Sequence, residues 1–205
     1  MKNLKQLANT RPSPLDNKKS EMPSLAKKAL VVYWSKTGNT EKVALAIKEG
    51  LEAAGVEVDV KKPKEAADVD YFDYDLVCVG SPSYQFHPVK PITDFLKSKL
   101  TSYRKQGQVK VAAPKVPEKK ALIFCTYSGP HTGIDEATPA GKYMAQFFEH
   151  LGFTVIAEWY VLSEFHGSLE NSTQGRMGDI RGKPIEKELL KIKEETERLA
   201  KKHLV

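Results

Sequence analysis

The stretch from Leu30 to Thr40, LVVYWSKTGNT, constrains the fold more than any other part of the chain. An apolar run (Leu30, Val31, Val32, Tyr33, Trp34) gives way at once to hydroxyls, a glycine and an amide, and a helical pattern follows with Val43, Ile47, Leu51 and Ala54 on one stripe. That order is strand, tight loop, helix. A helix N-terminus carries backbone N–H groups without internal partners and a partial positive charge, so a loop of this composition opening a helix is suited to hold a phosphate.

Further strands and helices alternate along the chain. Val56, Val58 and Val60 alternate with polar residues, as in a half-buried strand near a sheet edge. Asp75 to Ser81 and Ala121 to Thr126 are continuous apolar runs that suit central parallel strands, and Thr154 to Leu162 reads as the fifth strand. Helices are expected around Val89, Ile92, Leu96 and Leu100, around Met144, Phe147, Phe148 and Leu151, and from Pro184 through Ile185, Leu189, Ile192 and Leu199. Glu194 with Arg198, and Glu197 with Lys201, are spaced as exposed ion pairs on the last helix. A short helix is expected within Pro63–Tyr74, and long connections over Tyr103–Lys119 and Ser163–Lys183.

This alternation implies an α/β fold with helices on both faces of a parallel sheet. In such sheets ligands collect at the carboxyl ends of the strands. With five strands in the order 2-1-3-4-5, the polar loops after strands one, three and four open on one crevice.

Charge and cysteine content narrow the class. The formal net charge is +6, but residues 1–28 hold seven Lys or Arg against two acidic residues, so the remainder is close to neutral. We therefore expect a basic, flexible extension over 1–28, a folded domain over 29–205, and no nucleic-acid partner. Cys78 and Cys125 lie in apolar runs without metal-type spacing and read as buried thiols, although a disulfide is conceivable if their strands are neighbours. No histidine pair has ligand spacing, so no metal is expected. The absence of an apolar run of about 18 residues and of a leader-type start points to a cytoplasmic protein without a membrane span.

The first loop contains neither G-x-G-x-x-G nor G-x-x-x-x-G-K-[ST], which argues against a dinucleotide or a nucleoside triphosphate. A response-regulator receiver needs a phosphoryl-accepting aspartate after strand three, where Ser81 and Pro82 stand. Ser35-Lys36-Thr37-Gly38-Asn39-Thr40 instead resembles the [ST]-x-T-G-x-T phosphate loop of the flavodoxin family, over a likeness running from about Ala29 to the last helix.

The resemblance implies a three-layer αβα sandwich and a non-covalent FMN. Ser35, Thr37, Asn39 and Thr40 would bind the phosphate, Gly38 would form the turn, and Lys36 would face solvent or the phosphate. Ser81, Pro82, Ser83 and Tyr84 match one loop against the flavin ring, and Thr126, Tyr127, Ser128, Gly129, His131 and Gly133 the loop on its other side. Tyr84 and Tyr127 are either ring-stacking groups or packing residues at a loop base, and Gly129 would let the backbone approach N5. The S-G-P-H-T-G loop is also similar to that of flavodoxin-like NAD(P)H:quinone oxidoreductases. There His131 would be catalytic, donating to the reduced ring or protonating a quinone, unless it is a plain surface histidine; His87 and His166 lie in loops near the crevice or a partner face.

Two redox uses of the cofactor follow, beside a third reading as a flavin-binding module whose basic tail docks it onto another protein. One is electron transfer to a redox partner protein; the other is oxidation of NAD(P)H with a small-molecule acceptor such as a quinone. Arg176 and Arg181 in the 163–183 loop would form a basic flexible rim for a nicotinamide phosphate, a partner or a second copy in a homo-oligomer, or else a plain exposed flap.

Overall fold

The computed structural model describes residues 26–205. Most of the expected basic extension therefore lies outside the described residues. The elements in chain order are β1 (Lys28–Tyr33), α1 (Asn39–Ala53), β2 (Glu57–Lys61), β3 (Leu76–Tyr84), β4 (His87–Pro88), α2 (Lys90–Lys105), β5 (Lys120–Tyr127), α3 (Thr138–His150), β6 (Thr154–Leu162), α4 (Leu169–Thr173) and α5 (Glu186–His203), with 3₁₀ turns at Tyr71–Asp73 and Gly133–Glu136.

Five parallel strands run β2-β1-β3-β5-β6, the expected path. One addition changes the count: β4 pairs antiparallel with the end of β3, Ser83 opposite Pro88 and Tyr84 opposite His87. The segment from Pro82 to Tyr84, expected as loop, is thus strand, and only Gln85 and Phe86 turn the chain. Both residues have left-handed backbones, with φ of 48° and 69°. Successive positive φ angles suit the right-handed twist of a two-residue hairpin but are sterically costly for residues other than glycine or asparagine.

Strand periodicity divides the interior into two cores. Leu30, Val32, Val77, Val79, Ala121 and Ile123 face α2 and α3, while Ala29, Val31, Leu76, Cys78, Leu122 and Phe124 face α1 and α5. Cys78 and Cys125 lie on opposite faces, which rules out the conceivable disulfide; both thiols are free and buried. Burial pushes the Cys125 thiol up to about 12 and the Cys78 thiol higher still.

Gly50 sets the closeness of α1 to α5. A Cβ there would lie 2.4 Å from the Lys193 carbonyl oxygen and 2.6 Å from Thr196 Cβ. The buried stripe of α5 is Ile192, Thr196 and Ala200, and the small Thr196 and Ala200 admit the neighbouring helix. Pro184 precedes this helix, which starts at Glu186, and Ile185 is left half-exposed at its cap. Glu197 pairs with Lys201 at 2.5 Å, whereas Glu194 and Arg198 form no ion pair among the described residues. Helix α2 reaches past Tyr103, whose buried hydroxyl accepts from the Tyr71 backbone N–H at 2.7 Å and donates to Asp70 at 3.1 Å.

Candidate functional site

The carboxyl ends of β1, β3 and β5 open on a cavity of about 630 Å³, within the usual range for cofactor sites of roughly 300–1,000 Å³. Of the residues expected in a cofactor site, Ser35, Lys36, Thr37, Asn39, Thr40, Pro82, Ser83, Tyr84, Thr126, Tyr127, Ser128, Gly129 and His131 line it. Gly38, Ser81 and Gly133 are not among the lining residues, and the first two have clear structural tasks. Gly38 turns the chain into α1 at φ 94°, with nothing within 4 Å of where a Cβ would stand, so conformation and not space demands glycine. Ser81 is fully buried; its hydroxyl donates to the Pro82 carbonyl at 2.8 Å and accepts from the Val89 N–H at 3.0 Å, tying the hairpin to the start of α2.

The polar half of the cavity is built by α1. No side chain caps this helix, so the first-turn N–H groups, which have no intrahelical acceptors, are left for a ligand. Ser35 Oγ accepts from the Gly38 N–H at 3.1 Å and so shapes the loop. Thr40 and Thr126 are buried and share a hydroxyl hydrogen bond of 2.8 Å, joining the loops after β1 and β5. Asn39 Nδ2 donates to the Glu164 carbonyl at 3.3 Å, joining the loop after β6. Asn39 and Thr40 therefore brace the cradle, while Thr37 and Lys36 stand exposed at it.

Glu41, the acidic residue of the first turn, is diverted from the cradle. It accepts from the Tyr33 hydroxyl and pairs with Lys62 at 3.0 Å, and the Lys62 ammonium lies 3.5 Å from the Tyr33 ring centroid. The hydrogen bonds from Tyr33 and Lys62 lower the Glu41 pKa, and burial together with the Glu41 bond raises that of Tyr33.

The other half is aromatic and includes residues that sequence reasoning missed. Tyr84 is 51% exposed and Phe86 53% exposed on the hairpin, with Phe165 on the wall formed by the loop after β6. Tyr127 is only 8% exposed and belongs to the core under α3, so Tyr84 is the tyrosine that offers a face. Burial raises the Tyr127 phenol. The signal available for Phe86 is two aromatics, Tyr84 and Phe86, two positions apart in a stretch that reads as loop.

Gly129 has φ 56°, and a Cβ there would come within 2.5 Å of the Gly133 carbonyl oxygen, so its missing side chain serves the closure of the 129–133 turn. Glu136 also lines the cavity, and its Oε1 accepts from the backbone N–H groups of His131 at 2.8 Å and Thr132 at 2.7 Å. The His131 ring is exposed and makes no hydrogen bond among the described residues.

The 163–183 loop, expected as a basic flexible rim or an exposed flap, is anchored to the loop after β5, while Arg176, Arg181 and much of its outer surface stay exposed. The Arg176 N–H donates to the Pro130 carbonyl at 2.8 Å, the Ser163 N–H to the Tyr127 carbonyl at 2.7 Å, and Ile180 is fully buried. A Cβ on Gly175 would stand 2.9 Å from Pro130 Cα. The segment is a docked wall that contributes Ser163, Glu164, Phe165, His166 and Asn171 to the cavity. Arg181 is engaged with Asp179 at 2.5 Å within the loop itself.

This donor set fits FMN: hydroxyls and free helix N–H groups at one end, aromatic faces for a flat ring at the other. Comparison with known proteins agrees. The chain is 16% identical to flavodoxin 1 of Bacillus cereus, covering 87% of this chain and all of that one with a TM-score of 0.59. It is 20% identical to the flavodoxin of Streptococcus pneumonia TIGR4, covering 85% and 99% with a TM-score of 0.57, and 22% identical to a flavodoxin from the domain Archaea, covering 85% and 97% with a TM-score of 0.56. A shorter likeness, 45% identity over 53 residues, joins it to a Rhizobium rhizogenes protein described as NAD(P)H dehydrogenase (quinone); it spans 23% of this chain and 27% of that relative. The flavodoxin family profile matches residues 31–202, most of the chain, and the protein belongs to the flavodoxin family of FMN-binding redox proteins.

Proposed function

We propose that residues 29–205 form an electron-transfer domain that passes electrons through a non-covalent FMN to a redox partner protein. The observation that carries this reading is an uncapped α1 N-terminus opening into the same cavity that Tyr84, Phe86 and Phe165 line. Backbone N–H groups of the 35–40 loop, with Ser35 and Thr37, would hold the phosphate. The 82–86 hairpin and the 126–131 loop would hold the ring between apolar faces that exclude water. Bound FMN supplies reversible one- and two-electron chemistry; the chain orients it and fixes the charge around it. Among the described residues no helix is long and apolar enough to cross a membrane, and we place the protein in the cytoplasm.

A second reading, an NAD(P)H-dependent quinone oxidoreductase, is favoured by the exposed, unengaged His131 ring at the cavity and by the short likeness to the Rhizobium rhizogenes protein. Anaerobic titration separates the two. The flavin-loaded protein is reduced first with dithionite and then, in a separate sample, with NADPH. The carrier shows a one-electron stage under dithionite and no reaction with NADPH; rapid bleaching by NADPH identifies the oxidoreductase. A chain that takes up no FMN refutes both.

A further inference from the structure

We propose that Glu136 is a positioning residue with two separable effects: its hydrogen bonds hold the 131–132 backbone, and its charge opposes anion formation at the ring half of the cavity. The inference rests on the FMN reading above. Glu136 ends the 3₁₀ turn that follows the Gly129–Gly133 closure, and its side chain folds back over that turn. One oxygen, Oε1, accepts both the His131 N–H at 2.8 Å and the Thr132 N–H at 2.7 Å, while the Glu136 backbone carbonyl accepts from Ser83 Oγ at 2.5 Å. A single residue thus ties the end of β3 to the loop after β5, across the space assigned to the ring.

Two successive free N–H groups would form an anion-attracting concavity. Here that concavity is filled from within, and the charge presented to the cavity is reversed. Glu164, the other acidic lining residue, reinforces the sign, and Lys36 stands on the phosphate loop. Oxidised flavin is neutral at its ring, whereas uptake of two electrons and one proton leaves a net negative charge on it. A fixed carboxylate in a partly desolvated cavity penalises the second state and not the first, so Glu136 lowers the reduction potential while leaving oxidised FMN well held.

Because both hydrogen bonds end on the same oxygen, Glu136→Gln can keep them through its amide carbonyl and remove only the charge. Glu136→Ala removes both, and the Ser83 bond to the backbone survives in each variant. The variants are compared by amide exchange at His131 and Thr132 in flavin-free protein, by the dissociation constant of oxidised FMN, and by the midpoint potential of the loaded protein. Glu136→Gln should preserve slow exchange at the two amides and hold oxidised FMN within about twofold of the parent, with a midpoint potential shifted upward. Glu136→Ala should speed exchange at both amides, weaken oxidised FMN about tenfold, the equivalent of about 1.4 kcal/mol, and also raise the potential. An unmoved potential in Glu136→Gln overturns the charge effect, and unchanged amide exchange in Glu136→Ala overturns the clamp. A parent chain that binds no FMN overturns the reading beneath the inference and, with it, the charge effect; a parent that binds FMN with an unmoved Glu136→Gln potential overturns the charge effect alone.

Discussion

The Gln85–Phe86 turn sets stability against cofactor grip. Both residues hold left-handed backbones, with φ of 48° and 69°. That conformation costs a side-chain-bearing residue about 1–2 kcal/mol. Asn-Gly is the pair that a two-residue hairpin of this twist prefers, so Gln85→Asn with Phe86→Gly should relieve about 2–3 kcal/mol of strain. Glycine returns about 0.5–1 kcal/mol through the freedom it adds to the unfolded chain. The net gain for flavin-free protein is about 1–2 kcal/mol, or a melting temperature about 2–8 °C higher for a domain of this size. The same change deletes the Phe86 ring, 53% exposed on the cavity rim. An aromatic contact of that kind contributes about 0.5–1.5 kcal/mol, so FMN affinity should fall about two- to twelvefold. Urea and thermal unfolding of flavin-free protein measure the first effect; fluorescence titration with FMN measures the second. Stability must be read without flavin, since a bound ligand adds its own stabilisation. Gln85→Asn alone should gain part of the stability and keep the affinity. A flavin-free double variant no more stable than its parent would refute the argument that the turn stores strain.

Gly50→Val should destabilise by about 2 kcal/mol or more, because the added atoms meet the Lys193 carbonyl and Thr196 Cβ, both fixed by α5; chemical denaturation checks it. Tyr71→Phe should stabilise by about 1–2 kcal/mol, since the Tyr71 hydroxyl is buried with no hydrogen-bond partner and the backbone N–H bond to Tyr103 is unaffected; the same denaturation assay applies. Stability should decline as pH rises above the ordinary tyrosine value of 10. Burial and the hydrogen bond to Asp59 push Tyr74 up to about 12, and Tyr103 and Tyr160 are raised as well. The folded state therefore keeps phenol protons that the unfolded chain releases, so this stabilisation is complete below pH 10 and is lost as the pH climbs toward 12. Tyr74→Phe should flatten that decline in a pH series of urea midpoints.

What could be read in the sequence is what depends on side-chain type. The runs at Leu30–Trp34 and Asp75–Ser81 could be read as central strands because a strand buried on both faces needs apolar residues throughout. The glycine turn into α1 is equally legible, since a glycine at positive φ before an amphipathic helix leaves a compositional trace at Gly38. The wall at 163–183 left almost none. Its docking runs through the Arg176 N–H on the Pro130 carbonyl and the close approach of Gly175 to Pro130, contacts that nearly any sequence could make. The hairpin was hidden for the opposite reason: Gln85 and Phe86 occupy a turn whose usual residues they are not, so the signal pointed away from it.

This contrast bears on why the cofactor was more legible than its use. Phosphate recognition needs a helix start, a glycine and hydroxyls, and these are chemical identities that a sequence displays. The redox behaviour of the ring depends on which backbone N–H groups face it and which are already engaged. At this site the answer is set by one carboxylate oxygen held by His131 and Thr132. In sequence Glu136 is one acidic residue among 26 Asp and Glu, at no motif position. Only the fold brings its charge to the cavity, so a chain with the same phosphate loop and a neutral residue at 136 should bind the same cofactor and hold it at a higher potential.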